Sequence, residues 1–107
     1  MSPHETVTLS TPAPHVLQII MDRPEAANAM NTQMGLDLMA LFEGFLVDTG
    51  GLRCLILTGR GDKAFCAGGD LKERKGMTDA EWLSQHAIFE RMVRAIVGCP
   101  IPLIAAV

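Results

Sequence analysis

The sequence contains 107 residues, of which 49% are hydrophobic and 20% are charged, and its formal net charge is −3. This length allows one small domain, and the composition is typical of a soluble globular protein rather than a disordered chain. The slightly acidic balance argues against a general attraction to nucleic acid or anionic membrane, and no apolar run is long enough to span a bilayer. The cysteines are far apart and lack metal-ligand spacing, which predicts reduced thiols, no metal site and a cytoplasmic location.

The first half of the chain is predicted to form two strands, a helix and a third strand. Residues 6–10 alternate weakly, as in an edge strand, and residues 15–21 predict a clearer strand that ends at a proline turn. Residues 32–48 predict an amphipathic helix, because apolar side chains recur at three- and four-residue spacing and Asp37 falls elsewhere on the wheel. The residues of its apolar face are Met34, Leu38, Leu41, Phe42 and Phe45. The uninterrupted apolar run at 52–58 predicts a strand covered on both faces.

The second half is predicted to add a long helix and a fourth strand. Thr78 and Glu81 form a capping-box pattern, so a helix is expected from there to about residue 97. The residues expected on its apolar face are Trp82, Phe89, Val93 and Ile96. Prolines at 100 and 102 prevent the helix from continuing, and residues 103–107 predict another buried strand. This order of strands and helices is typical of an α/β protein.

Small residues and glycines follow the third predicted strand. Residues 63–74 read K-A-F-C-A-G-G-D-L-K-E-R, and the adjacent glycines allow the backbone to approach a ligand closely. This segment resembles the first oxyanion-loop signature of the crotonase family, the enoyl-CoA hydratases and isomerases. Residues 22–30 (D-R-P-E-A-A-N-A-M) resemble the early R-P-x-x-x-N-A loop of that family, and residues 100–107 (P-I-P-L-I-A-A-V) resemble the strand that leads to its second oxyanion segment. With three such segments in the family's order, the chain is identified as a member of the crotonase family.

The resemblance implies an α/β fold of the crotonase-like (ClpP/crotonase) type, a spiral of ββα units. Only the N-terminal portion of that spiral is expected here, so residues 1–107 would form the N-terminal part of a single crotonase-like domain. The last predicted strand ends while it is still apolar, and we therefore expect the chain to be truncated before the catalytic half. In the family, that half contains the second oxyanion donor and the acid–base glutamates.

The resemblance also implies which residues meet the substrate. The backbone N–H of Gly69 corresponds to the first oxyanion donor, at a position where family members often carry alanine. Ala67 would offer its carbonyl to the adenine amino group of coenzyme A (CoA), and Lys72 would meet a phosphate. The residues implied to lie along the CoA part of the substrate are Glu25, Ala26, Ala29, Ala67, Asp70, Leu71 and Lys72. Because CoA enters as part of the substrate, no separate cofactor is expected.

The implied activity is the hydration or isomerisation of an enoyl-CoA thioester in fatty acid metabolism, with an enolate held in an oxyanion hole. Residues 65–77 (F-C-A-G-G-D-L-K-E-R-K-G-M) are most similar in appearance to hydratases of the methylglutaconyl-CoA type. Some of those also bind RNA through a basic helix, but the charges on the second predicted helix are mixed, so no nucleic-acid partner is expected. Full-length members form trimers or dimers of trimers, which implies a homo-oligomer.

Two other functions stay open from the sequence alone. The chain could be a catalytically incomplete fragment that binds CoA or pairs with another chain without turnover. Residues 59–64 (G-R-G-D-K-A) also fit the dinucleotide-binding pattern G-x-G-x-x-A, which requires a helix that begins directly at the glycines.

Several residues also have simpler interpretations. Asp70 could only cap the loop through backbone N–H groups, Lys72 could be a solvated charge, and Arg23 could be a turn residue with a surface charge. Three acidic side chains sit at helical spacings and are expected to face solvent, namely Glu73, Glu81 and Glu90.

Overall fold

The computed structural model describes residues 4–107, so the first three residues of the predicted domain lie outside it. In chain order, the elements are β1 (Val7–Ala13), β2 (Val16–Met21), a 3-10 turn (Pro24–Ala26), α1 (Thr32–Val47), β3 (Cys54–Gly59), α2 (Leu71–Lys75), α3 (Asp79–Val97) and β4 (Leu103–Ala106). Every predicted strand and helix is present within a few residues of its predicted bounds. The α/β prediction is therefore confirmed.

The four strands form one sheet in the order β1-β2-β3-β4. β1 pairs antiparallel with β2, whereas β2, β3 and β4 run parallel to one another. Parallel neighbours need a crossover connection, which α1 supplies between β2 and β3, and α2 with α3 between β3 and β4. Met21 pairs with Gly59 at the ends of β2 and β3, so the loops that follow these strands leave the sheet side by side. Open α/β sheets bind ligands at this edge, outside the carboxyl ends of their strands.

The hydrophobic core lies on one face of the sheet, beneath α1 and α3. Met34, Leu38 and Phe42 of α1 are each no more than 1% exposed, and Phe45 is also buried. These side chains pack with Ile19, Met21, Leu55, Met92 and Ala95 from the sheet and α3. The predicted apolar face of α1 is confirmed, and burial of this face is the main force that holds α1 on the sheet.

Asp37 also lies in this core, although its position on the helical wheel predicted a polar face. Its Oδ2 accepts hydrogen bonds from the backbone N–H of Thr6 at 2.9 Å and from the Thr6 hydroxyl at 2.6 Å. Burial raises the pKa of Asp37, but the bonds from Thr6, together with the Gln33 bond and the nearby His4, outweigh burial and hold the pKa below its usual value. The buried carboxylate of Asp37 is tolerated because these donors replace the water it would otherwise bind. Its bonds to Thr6 hold the start of β1 against α1.

The second face of the sheet is not covered by a helix of residues 4–107. Leu55, Leu57 and Leu103 pack into or against the core, whereas Ile104 lies outside it and is 54% exposed. The predictions of a third strand covered on both faces and of a buried fourth strand are therefore wrong for the described chain. An apolar run shows that a strand can be buried, but it does not show on which sides a helix packs.

The predicted inner face of α3 is also partly wrong. Gln85, Met92 and Ala95 are the buried residues of this helix, whereas Trp82 is 42% exposed and Val93 is 50% exposed. Ala95 can face inwards because α3 packs closely on α1. Gln85 can face inwards because its side chain forms a hydrogen bond with Thr32 of α1. Apolar spacing alone selected a different stripe of the helix.

Candidate functional site

Asn28 joins the loop after β2 to the loop after β3. Its side chain is fully buried, and its Nδ2 donates to the carbonyls of Arg60 at 3.0 Å and Ala64 at 2.9 Å. Its Oδ1 accepts from the backbone N–H of Arg23 at 2.9 Å. The backbone is left-handed at Ala27 and Asn28, a conformation that asparagine tolerates better than most residues. The sequence predicted no role for Asn28, although an asparagine in a tight turn was a usable signal.

A short bridge then brings the 22–30 loop against the glycines of the 63–74 segment. The backbone N–H of Met30 donates to the carbonyl of Gly68 at 2.7 Å, and the N–H of Asp70 donates to the carbonyl of Met30 at 3.0 Å. In such a parallel bridge, the residue between the two bonded positions turns its own N–H away from the partner strand. That residue is Gly69, and its N–H has no acceptor among residues 4–107. The structure thus leaves a free backbone donor at the position that the sequence predicted.

The two loops line an open cavity of about 440 Å³. All eight residues that the sequence predicted for the site line it, together with Arg23: Glu25, Ala26, Ala29, Ala67, Gly69, Asp70, Leu71 and Lys72. Small side chains form much of the wall, and the exposed side chains of Glu25, Leu71 and Lys72 lie at the rim. The structure therefore brings together, at one edge of the sheet, residues that are up to 49 positions apart in sequence.

Asp70 is held by the protein on both of its carboxylate oxygens. Oδ1 accepts from the backbone N–H groups of Lys72 at 3.0 Å and Glu73 at 3.2 Å, which caps α2, and Oδ2 accepts from the Arg23 guanidinium at 3.0 Å. The bond from the Glu73 N–H, helped by Arg23, holds the pKa of Asp70 below its usual value. The capping interpretation of Asp70 is confirmed, and its carboxylate stays ionised at neutral pH.

One interpretation of the sequence made Arg23 a turn residue with a surface charge, and the structure shows that its charge is not on the surface. Only 17% of its side chain is exposed, and its second guanidinium nitrogen donates to the carbonyl of Ala29 at 2.6 Å. One arginine therefore braces the 22–30 loop and the 63–74 segment at the same time, since it also pairs with Asp70.

Glu73 does not face solvent, which corrects the sequence prediction for it. Its Oε1 accepts from the backbone N–H of Thr32 at 2.8 Å, the hydroxyl of Thr32 at 3.0 Å and the Nε2 of Gln85 at 2.7 Å. These bonds join α2 to the first residue of α1 and to α3. Glu81 and Glu90 are exposed, as predicted.

The structure contradicts the dinucleotide-binding alternative. The glycines at 59 and 61 are followed by a loop, and the next helix begins only at Leu71. No helix N-terminus therefore meets these glycines, and the fingerprint lacks the element that binds the pyrophosphate.

The described residues contain neither a metal-binding cluster nor a membrane-spanning helix. Among residues 4–107, no cluster of three or more His, Cys, Asp or Glu side chains is arranged to hold a metal ion. Within the same range, no helix has the length and apolar character that crossing a membrane requires.

Residues 13–107 match the sequence model of the family described as enoyl-CoA hydratase/isomerase. This chain belongs to that family, the crotonases. It is 38% identical over 93 residues to YngF of Bacillus subtilis, covering 87% of this chain and 35% of that protein. It is 33% identical over 99 residues to the enoyl-CoA isomerase/hydratase fer4 of Mycosarcoma maydis, covering 86% of this chain and 36% of that protein.

Solved structures of crotonases have the same fold. The crystal structure of an enoyl-CoA hydratase from Bacillus anthracis superposes with a TM-score of 0.89 at 31% identity and covers 95% of this chain. AtuE of Pseudomonas aeruginosa superposes with a TM-score of 0.84 at 32% identity and covers 94% of this chain. The crotonase-like fold prediction is confirmed. The chain spans 39% of each of those two structures, and it spans 35% and 36% of the two relatives named above.

Proposed function

We propose that this crotonase chain binds an enoyl-CoA thioester and holds the thioester oxygen at the backbone N–H of Gly69. The observation that carries the proposal is the Met30–Gly69 bridge, which turns this N–H away from Met30 and leaves it without an acceptor among the described residues. During hydration or isomerisation, negative charge develops on the thioester oxygen as an enolate forms. A donor that already points at this oxygen stabilises that charge without reorganisation.

The same cavity suits the CoA part of the substrate. Ala26, Ala29 and Ala67 leave room for a bulky ligand close to the backbone, and the carbonyl of Ala67 accepts no hydrogen bond from residues 4–107. This carbonyl is free to accept from the adenine amino group. The Lys72 ammonium at the rim has no ion-pair partner in the described chain and could bind a CoA phosphate, whereas Glu25 and Leu71 would shape the rim. CoA would enter as part of the substrate, with no separate cofactor.

A second candidate function is binding of CoA without turnover. The two carboxyl groups that line the cavity are Glu25 and Asp70, and Asp70 is locked in its ionised form by α2 and Arg23. Neither resembles the acid–base glutamates of the family. In this candidate, the described residues supply the substrate cradle and one oxyanion donor, and the acid–base chemistry needs further residues.

A hydration assay separates these candidates. Incubation of this chain with crotonyl-CoA should produce the 3-hydroxy thioester above the uncatalysed rate if the chain carries the whole activity. Binding of crotonyl-CoA by calorimetry with no turnover would support the second candidate. Failure to bind either crotonyl-CoA or free CoA would contradict both.

The methylglutaconyl-type acyl group, the homo-oligomer, the cytoplasmic location and a role in fatty acid metabolism stay predictions.

The phosphate contact of Lys72 has a matched control in the same helix. We expect Lys72→Ala to weaken CoA binding by about tenfold, because one charge-assisted contact to phosphate is lost. Lys75→Ala removes the same charge from α2 at a residue that does not line the cavity, and it should leave the affinity within about twofold. Equal losses in the two variants, measured by calorimetry, would show that Lys72 acts only through net charge.

A further inference from the structure

The Arg74 guanidinium lies directly against Gly69. Its central carbon is 2.7 Å from the point that a Cβ on Gly69 would occupy, and its two terminal nitrogens are 2.8 and 3.1 Å from that point. An alanine methyl group would occupy the place of the guanidinium, so an alanine here would displace the flexible end of the Arg74 side chain. The free N–H of Gly69 is close by, because covalent geometry puts the nitrogen of a residue about 2.5 Å from its Cβ position.

The positive charge of Arg74 is not compensated within the described chain. Its side chain forms no ion pair or hydrogen bond with residues 4–107, and its Nε is buried without a partner. A guanidinium stays protonated at all relevant pH values, so its charge cannot be relieved by loss of a proton. Leaving the buried Nε of this cation without an acceptor costs folding free energy. The cost is notable because the guanidinium lies beside the free N–H of Gly69.

The acidic groups nearest to Arg74 in sequence are engaged elsewhere. Asp70 is bonded to Arg23 and to the N-terminus of α2, and Glu73 is bonded to Thr32 and Gln85. Neither carboxylate pairs with Arg74. The guanidinium and the Gly69 N–H therefore lie beside each other, and no anion among residues 4–107 pairs with either.

We propose that Arg74 stabilises the negative charge on the thioester oxygen held by Gly69, as a side-chain cation added to the backbone donor. The inference rests on the proposed function and extends it, because the sequence resemblance assigns this charge to backbone donors alone. When a substrate is deprotonated at its α-carbon, the electron pair of the broken C–H bond moves onto the thioester oxygen. A cation within a few ångströms of that oxygen lowers the energy of the enolate relative to the neutral thioester.

Acetoacetyl-CoA provides a test that does not depend on turnover. It loses an α-proton to the buffer, and its enolate absorbs in the near ultraviolet, so a pH titration of the bound ligand gives its apparent pKa. Relative to wild type, Arg74→Gln should raise this pKa by about one unit, a tenfold loss of enolate stabilisation. Arg74→Lys keeps the positive charge and should retain most of the effect.

Gly69→Ala is the matched variant, because it keeps the backbone N–H and displaces the guanidinium, the flexible end of a long side chain. It should raise the pKa as much as Arg74→Gln does, and the double variant should show no further change. Three outcomes would overturn the inference without touching the proposed function. The ligand pKa could be the same in Arg74→Gln as in wild type, it could rise equally in Arg74→Lys and Arg74→Gln, or the two rises could add in the double variant. If free CoA and acetoacetyl-CoA both fail to bind the wild-type chain, the proposed function falls and the inference falls with it.

Discussion

At the scale of single residues, the site depends on a few backbone-directed contacts. Gly69 supplies a donor because Met30 is bonded to the residues on either side of it. Asp70 supplies no reactive carboxyl, because α2 and Arg23 use both of its oxygens. Its role is to fix the conformation of the loop that presents Gly69.

Substitution of Asp70 should therefore lower stability in a pH-dependent way. Asp70→Ala should cost about 1 to 2 kcal/mol of unfolding free energy at pH 7, because a helix cap and an ion pair are lost. The pKa of Asp70 is lowered in the folded state, so its charge stabilises the fold above the pKa of the unfolded chain, and this part is lost as the pH falls through the folded pKa. The difference between wild type and variant should shrink below about pH 4 in urea unfolding.

Asp62→Ala is the control, since Asp62 is exposed in the loop after β3. It should leave the unfolding free energy nearly unchanged at both pH values. A cost of Asp70→Ala that is the same at pH 7 and at pH 3 would contradict the charge-dependent part of the explanation.

At the scale of elements, α2 is a single helical turn that cannot be stable by itself. Three contacts hold it in place: the Asp70 cap, the Asp70–Arg23 ion pair, and the bonds of Glu73 to α1 and α3. Because Gly69 immediately precedes Asp70, the cap of this turn, the packing of α1 against α3 affects the position of the free Gly69 N–H.

Two glutamates that look alike in sequence should therefore behave differently. Glu73→Ala should cost about 2 kcal/mol of unfolding free energy, because it leaves the N–H of Thr32 and part of the Gln85 amide without an acceptor. Glu90→Ala removes only an exposed pair with Arg94 on α3 and should stay within about 0.5 kcal/mol of wild type. Chemical denaturation of both variants tests this, and equal costs would show that the Glu73 bonds do not hold α2.

At the scale of the whole molecule, the core lies on one side of the sheet and several large apolar side chains stay in solvent. On α3, Leu83 is 62% exposed and Val97 is 81% exposed, and Val47 at the end of α1 is 89% exposed. Apolar surface of this kind promotes association between copies of a chain. We therefore expect the stability of the fold and any association between copies to depend on different residues.

Two substitutions separate stability from association. Val97→Lys should reduce light scattering of concentrated samples and leave the unfolding free energy within about 0.5 kcal/mol, because a cation at the C-terminal end of α3 is favourable. Phe42→Ala removes a fully buried ring and should cost about 3 to 5 kcal/mol. Unchanged scattering in Val97→Lys would show that association does not involve the exposed end of α3.

The sequence by itself determined the order of the strands and the two long helices, the family, and eight of the nine residues that line the cavity. Periodicity and turn residues are local properties, so residues 32–47 and 79–97 could be recognised as helices without knowledge of their neighbours. The 63–74 segment could be matched for the same reason, since its signature is one continuous run of residues. These features need no information about residues distant in sequence.

Only the tertiary structure decided which side chains meet across those elements. Arg23 reaches Asp70 over 47 positions and Glu73 reaches Thr32 over 41, and neither pairing leaves a periodic signal in the sequence. The inner face of α3 was misjudged because Gln85 is buried for its hydrogen bonds and not for its hydrophobicity. The guanidinium of Arg74 lies on Gly69 because this position lacks a Cβ, a contact that depends on three-dimensional packing.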